Sequence, residues 1–398
     1  MIRTPVYMDS HATTPVDERV LAAMLPYFTE KFGNPASRQH AYGWAAEEGV
    51  EGARAAIAKH LGAEPREVVF TAGASESNNL LLKGIAEALR PEGNHIVTAQ
   101  TEHKSVLETC RRLEKQGFRI TYLPVDHDGF LLVEDLAAAI TKETILVSVM
   151  HANNEVGTLQ PMENIGRLCA ERGVIFHSDA TQAVGKVPVR MKDLGIDALS
   201  CSAHKLYGPK GVGALVLRQG KRKVRILPQI EGGGQERGLR SGTLNVPGIV
   251  GFGAAVEIAV SSMPEESTRL AGLRDMMLAA FESEIGGVAL NGPRASRLPQ
   301  NLNVSFLGVE DTTLMMSMKD IAVSSGSACS SVDPQPSHVL KALRLPEQRV
   351  HSALRFGLSR STTEDEVRYV IARVKETVAK LRAQSPARTT VQQPITTN

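Results

Sequence analysis

Residues 198–217 read ALSCSAHKLYGPKGVGALVL. Two runs of small and apolar residues, 198–202 and 213–217, have the length of strands, and glycines with Pro209 punctuate the segment between them. Lys205 stands just past the first run, beside His204 and Ser202. Upstream, 68–71, 95–99, 119–125, 144–150 and 174–178 are further strand candidates, most of them continuous apolar or β-branched runs suited to burial on both faces. Helices are predicted over 104–116 and over 162–172, the latter stopped by Gly173. This alternation predicts an α/β fold around a mostly parallel, seven-stranded sheet. Near the N-terminus, Thr14 followed by Pro15 predicts the start of a helix running through Phe28.

Beyond about residue 253 the pattern changes. A long helical region over 254–281 leads to strand-like 302–306, a loop over 324–337, strand-like 352–357 and a charged helix over 364–382. We expect a large domain over 15–255 and a smaller α+β domain formed by 1–14 together with 256–385. The tail 386–398 lacks apolar periodicity and is expected to be disordered.

The chain has 398 residues, a formal charge of +2, 42% hydrophobic and 22% charged residues. That near-neutral balance gives no reason to expect DNA or an anionic membrane as partner. The basic run RQGKRKVR (218–225) has no interleaved aromatics and reads as a solvated turn. The first residues hold no apolar stretch of signal-peptide length, and no stretch is expected to reach the ~18 apolar residues of a membrane span. Cys110, Cys169, Cys201 and Cys329 form no CxxC pair, which argues against a disulfide framework or zinc ribbon and for a reducing, cytoplasmic setting.

Walker, strand-linked GxGxxG and HExxH patterns are missing. Other chemistry is present. In VVFTAGASESNN (68–79) a strand passes through a small-residue turn at Gly73, Ala74 and Ser75 into a helix, a seat for phosphate or simply a capped turn. In VIFHSDATQ (174–182), Asp179 ends a strand and Gln182 follows within a turn. A carboxylate there could hold a protonated heterocyclic nitrogen or cap a helix. Lys205, 26 residues after Asp179, could form a Schiff base with an aldehyde, with Ser202 and His204 donating to a phosphate, or could be a surface lysine in a hairpin. Taken together these are the handles of pyridoxal 5′-phosphate. His103, in TEHKSV, could stack on its ring and move protons. Cys329, among serines in SSGSACSS (324–331), reads as an exposed, reactive thiol or a chance surface cysteine.

The ordered motifs MDSHATTP, FGNPASRQH, FTAGASESNN, TEHKSV, MHANNEVGT, SDATQAVGK, SAHKLYGPKG, GGGQERGLRSGT, SSGSACSS and LRFGLSR resemble those of the cysteine desulfurases, in particular the iron–sulfur assembly and nitrogen-fixation type. The resemblance runs from Tyr7 to about Pro386. It implies the fold type I architecture of pyridoxal-phosphate enzymes and a homodimer. It implies that Lys205 is the Schiff-base lysine and α-proton base, that Asp179 pairs with the ring nitrogen, that Gln182 meets the ring oxygen and that His103 stacks. Ala74, Ser75, Ser202 and His204 would hold the phosphate, and Thr243 would reach the phosphate of the partner subunit's cofactor. Asn154 and Arg355 would bind the substrate carboxylate, with Asn154 also near the cofactor. Cys329 would take sulfur from L-cysteine as a persulfide, leave alanine, and pass the sulfur to an iron–sulfur scaffold or another acceptor. A selenocysteine lyase or an aminotransferase of the same fold would share Lys205 and Asp179 without needing the thiol. No resident metal is implied; one thiol holds no cluster alone, so Cys329 could ligate a transient iron–sulfur cluster only together with a partner.

Overall fold

Short strand β1 (Val6–Tyr7) opens the chain, followed by an irregular strap of residues 8–16, then α1 (Glu18–Met24), α2 (Pro26–Thr29) and the long α3 (Ala41–Leu61). The computed structural model describes residues 2–220, 224–325 and 336–384. Cys329, residues 221–223 of the basic run and the tail 386–398 therefore lie outside the described residues.

The main sheet consists of β2 (Val68–Thr71), β3 (His95–Ala99), β4 (Arg119–Leu123), β5 (Thr144–Ser148), β6 (Ile175–Asp179), β7 (Ala198–Ser202) and β8 (Gly213–Leu217). Its order is β2-β8-β7-β6-β5-β3-β4. Only β8 runs antiparallel to its neighbours; the other pairings are parallel. The helices α4 (Ala74–Ala88), α5 (Lys104–Glu114), α6 (Val133–Ala139) and α7 (Met162–Arg172) alternate with these strands.

Successive side chains of a strand point to opposite faces, and both faces here are covered. Val68, Phe70, Phe176, Leu199, Ala214 and Val216 pack in one core with residues of α3 and α7. Val69, Ile175, Ala198, Leu215 and Leu217 pack in the other with α4 and α5. Full burial of a side chain such as Phe176 contributes roughly 1.5–3 kcal/mol, which explains why most of these strands are rich in apolar residues, although β6 and β7 also bury His177, Ser178, Ser200 and Ser202.

The 39-residue α8 (Val246–Glu284) links two regions. Its first half, through Ala259, joins the core shared with α3, and its second half, from Leu270, joins a separate core. That second core lies on a small antiparallel sheet of β9 (Val288–Leu290), β10 (Asn301–Phe306) and β12 (Ala353–Gly357), in the order β12-β10-β9. Phe281, Phe306 and Phe356 meet there at ring separations of 5.3, 5.5 and 6.5 Å, and Val6 and Met8 belong to the same core. Between these elements lie α9 (Asp311–Ser317), β11 (Ile321–Ala322), which pairs in parallel with β1, α10 (His338–Ala342) and α11 (Glu347–Val350); α12 (Glu364–Gln384) closes the described chain. The expected domain boundary at 255/256 falls inside α8.

Two expectations need correction, and one helix escaped the sequence reading. The first helix does not begin at Thr14–Pro15: Asp17 caps it through the Arg19 N–H, and Pro26 separates α1 from α2. Thr14 is committed elsewhere, as described below. Second, α8 is apolar and long enough, by length and composition only, to cross a membrane, contrary to the expectation that no stretch would be. Half of its most apolar window is buried, and an added Cβ at Gly253 would come within 2.6 Å of Ala53 on α3. Helix α3 was not anticipated. It packs on small residues (Gly43, Ala46, Ala53 and Ala58 are buried), so its apolar stripe is faint in the sequence.

Candidate active site

Parallel strands bring their C-terminal ends to one edge of the sheet. Asp179 ends β6, Ser202 ends β7, and a single tight turn, Ala203–Lys205, follows directly. The β6–β7 register pairs Asp179 with Ser200, so the carboxylate and the lysine belong to adjacent strand ends.

Two donors hold the buried Asp179. Asn78 Nδ2, on α4, donates to Oδ2 at 2.8 Å, and the Thr181 N–H donates to Oδ1 at 3.0 Å. Asn78 Nδ2 also donates to Ser105 Oγ at 2.8 Å, which lies 2.8 Å from His103 Nδ1. His103 is the N-cap of α5, and its Nδ1 accepts the Ser105 N–H at 3.1 Å. A backbone N–H only donates, so the neutral ring carries its proton on Nε2. A chain of polar contacts thus joins the ring of His103 to the carboxylate of Asp179.

The seat beside them is the start of α4. Gly73 precedes Ala74 at φ 153°, a backbone region side chains avoid, and no side chain caps the helix. A Cβ at Gly73 would face Ser202 Oγ at 3.8 Å. An uncapped helix start with a hydroxyl opposite suits an anion. Ser75 is exposed and Ser202 buried. His204 Nδ1 lies 3.1 Å from Thr13 Oγ1, and burial, then the charges of Lys205, Lys210 and Lys186, push its pKa down to about 4.

The strap of residues 8–16 was not assigned any chemistry from the sequence, yet it touches much of this edge. Lys205 Nζ donates to the carbonyls of His11 and Ala12, both at 2.6 Å. Gln182 Nε2 donates to the His11 carbonyl at 3.0 Å, and Gln182 Oε1 lies 3.1 Å from His11 Nδ1. The Thr14 hydroxyl donates to the His204 carbonyl at 3.0 Å and accepts the Tyr207 N–H at 2.8 Å. From below, Lys186 Nζ donates to the Lys205 carbonyl at 2.7 Å; burial first, and Lys205 second, lower its pKa to about 7.

The small sheet supplies Arg355, buried in the middle of β12. Its NH2 group donates to Asp9 Oδ1 at 2.8 Å and its NH1 group to the Asn154 carbonyl at 3.0 Å, while Nε has no partner among the described residues. The structure therefore brings Asn154 and Arg355 together, and adds Asp9. Next door, Glu155 accepts a hydrogen bond from the Ser337 hydroxyl, and burial raises its pKa to about 7. His338 Nε2 lies 3.0 Å from the Glu102 carbonyl, one residue before His103. Ser337 and His338 are thus tied to residues beside the site.

Thr243 stands apart, exposed on the loop between β8 and α8. That loop is pinned by a buried pair: Arg54 grips Glu236 at 2.8 and 3.0 Å, and the Phe70 N–H donates to Glu236 at 2.7 Å. Glu236 and Arg237 both have positive φ (48° and 57°), a strain that the buried pair helps to hold.

In chemical terms, the two sheets together gather an uncapped helix start that suits an anion, a buried carboxylate, a lysine amine and a guanidinium. The buried Asn78 Oδ1, beside Asp179, has no partner among the described residues. Among the described residues no group of three or more His, Cys, Asp or Glu could hold a metal ion.

The family described as "Aminotransferase class-V" matches residues 6–370. A curated protein of Anaeromyxobacter sp. (strain Fw109-5), named cysteine desulfurase IscS, is 53% identical over 385 residues, covering 97% of this chain and 95% of its own. One of the same name from Rickettsia rickettsii (strain Iowa) is 52% identical, covering 96% and 93%. Among solved structures, a NifS-like protein superposes with a TM-score of 0.88 at 41% identity, covering 94% of this chain and 99% of its own. A structure described as SspA in complex with cysteine superposes with 0.78 at 39% identity, covering 89% and 98%.

Proposed function

We infer from the aminotransferase class-V family, to which this chain belongs, and from its near-full-length likeness to cysteine desulfurases, that the protein is a cysteine desulfurase of fold type I. The observation that carries the assignment of roles is the convergence of Lys205, Asp179 and the start of α4 on one sheet edge.

The residues fit pyridoxal 5′-phosphate. The start of α4, with Ala74, Ser75, Ser202 and His204, would hold the phosphate; Asp179 would hold the ring nitrogen, Gln182 the ring oxygen, and Lys205 the aldehyde. When bound, the cofactor supplies that aldehyde and a ring that draws electrons from the substrate α-carbon. Lys205, released from the His11 and Ala12 carbonyls, serves as the base for the α-proton. Asp179, fixed by Asn78 and Thr181, keeps the ring nitrogen protonated. His103, held by Ser105 with its proton on Nε2, serves proton transfer at the substrate thiol. Arg355, with Asn154 beside it, receives the substrate carboxylate in place of part of its contact with Asp9.

Cys329 then attacks the substrate sulfur as a thiolate. One S–S bond forms and the C–S bond breaks. The carbon fragment keeps the electron pair, takes up protons and leaves as alanine, while Cys329 holds the persulfide. The sulfur then goes to an iron–sulfur scaffold or another acceptor protein. The enzyme works in the cytoplasm as a homodimer. Leu21, Leu25, Phe28, Phe32, Tyr42 and Trp44 are each at least 45% exposed, an apolar surface suited to a second copy, and Thr243 is exposed to reach across.

Cys329→Ala tests the reading. It is expected to abolish alanine and sulfide release from free cysteine while the purified protein stays yellow. Full activity in that variant would contradict a cysteine-persulfide route.

A further inference from the structure

The reaction described above assigns no task to His11. We propose that His11 is a positioning residue: its ring sets the amide of Gln182, and its carbonyl anchors both that amide and the Lys205 amine, so that it tunes the grip of the site on the cofactor. The proposal rests on the reading that Gln182 meets the ring oxygen and Lys205 the aldehyde.

Hydrogen-bond direction fixes the arrangement. Gln182 Nε2 faces the His11 carbonyl at 3.0 Å, and a carbonyl only accepts, so the amide cannot be turned over. Its Oε1 therefore faces His11 Nδ1 at 3.1 Å, and Nδ1 must donate. On the other side of the ring, Asn301 Nδ2 lies 3.1 Å from Nε2. That amide is oriented too, since Nδ2 also donates to the Glu155 carbonyl at 3.1 Å and Oδ1 accepts from Arg297 at 3.2 Å. Nε2 must accept. His11 is thus a neutral ring with its proton on Nδ1, and a charged ring would set two donors against each other at Asn301. Burial, then the charges of Arg355, Lys186 and Lys205, hold its pKa well below that of a free histidine, although the Gln182 bond works the other way.

The place for this ring is built into the small sheet. A Cβ at Gly357 of β12 would come within 2.8 Å of His11 Cδ2 and 3.0 Å of the His11 backbone nitrogen. Only 2% of His11 is exposed. The Gln182 amide, engaged at both ends by one residue, keeps one hydrogen and one lone pair to offer elsewhere. Without the imidazole its oxygen loses a donor and the amide can rotate. The Lys205 amine keeps its carbonyl contacts only while the strap stays in place.

Four variants test this: His11→Ala, His11→Asn, Gln182→Ala and the double His11→Ala/Gln182→Ala. For each, the affinity of the apoprotein for pyridoxal phosphate and the pH midpoint of the visible band of the loaded protein are measured, together with the thermal midpoint. His11→Ala is expected to weaken cofactor affinity about tenfold, the scale of one lost hydrogen bond, and to move the band midpoint in the same direction as Gln182→Ala. The double variant is expected to be no worse than Gln182→Ala, because both act through one contact. His11→Asn, whose amide can donate to Gln182, is expected to recover most of the loss. If Gln182→Ala moves both readouts and His11→Ala moves neither, or if the two effects simply add, the role of His11 is overturned while Gln182 keeps its place. If neither variant moves either readout, the assignment of Gln182 falls and this proposal falls with it. Should His11→Ala fail to fold, His11→Leu, which fills the ring's place without a donor, gives the same comparison.

Discussion

The two sheets of this protein contribute to the site in opposite ways. The seven-stranded sheet presents its chemistry at strand ends, where Asp179 and the turn to Lys205 lie next to each other in space and within contiguous motifs in the chain. The three-stranded sheet presents Arg355 from the middle of β12, with the strap of residues 8–16 laid across it: Asp9 bridges to Gly357, and the Ser10 hydroxyl donates to the Gly357 carbonyl at 2.8 Å. On the proposed roles, the large sheet would hold the cofactor and the small one would bring the cation for the substrate's carboxylate, so that chemistry and recognition would rest on different hydrophobic cores.

The sharpest way to break this division is to remove the large sheet's carboxylate. Asp179→Ala is expected to lower kcat on the order of 10²–10³-fold or more, since a preorganised charge at the reacting group is lost, and to blue-shift or bleach the visible band. Steady-state kinetics and the absorption spectrum check it. A variant with unchanged kcat would place the electron sink under some other control.

Removing the small sheet's cation should act on binding instead. Arg355→Leu is expected to raise KM for cysteine about 10²-fold, the scale of a buried charge pair, while the visible band is retained. Arg355→Lys should recover part of the loss, because an ammonium lacks the fork of a guanidinium. An unchanged KM would reduce Arg355 to a tether for Asp9.

A smaller effect is shared by the two sheets. In the large unit, burial lowers the pKa of His151 and His177 to about 4. The unfolded chain binds these protons at about 6.5, so stability present above that pH is lost as the pH falls toward 4, by up to about 1.4 kcal/mol per pH unit for each group. Glu102 and Glu155, whose pKa values burial raises, oppose this in the upper part of the window. His11, seated against Gly357 of β12, is shifted in the same direction, so the small sheet shares the effect. Chemical denaturation should therefore show stability falling from pH 6.5 toward 4, and falling less steeply in His177→Gln; an equal slope in that variant would remove His177 from the account.

Most of the large sheet can be read from the sequence, because a strand buried on both faces is a continuous apolar run and its functional residue sits at its end. Residues 68–71, 95–99, 198–202 and 213–217 coincide with observed strands. The strap could not be read that way. His11 meets Gln182 across 171 residues and Lys205 across 194, and no local periodicity encodes such contacts. Thr14–Pro15 carried a helix-start signal, but tertiary hydrogen bonds to His204 and Tyr207 claimed the hydroxyl. Asn78 and Ser105, which tie Asp179 to His103, lay inside recognised motifs as ordinary helix residues; only the packing of α4 against α5 joins them.

On the proposed reading, Lys205 alone carries the cofactor. Lys186, a second lysine amine whose Nζ reaches the Lys205 carbonyl, makes this a real choice. Borohydride reduction of the loaded protein, followed by digestion and peptide mass mapping, tests it directly. The account expects the pyridoxyl group on the peptide containing Lys205 and on no other; an adduct on Lys186 or Lys210, or none at all, would contradict it.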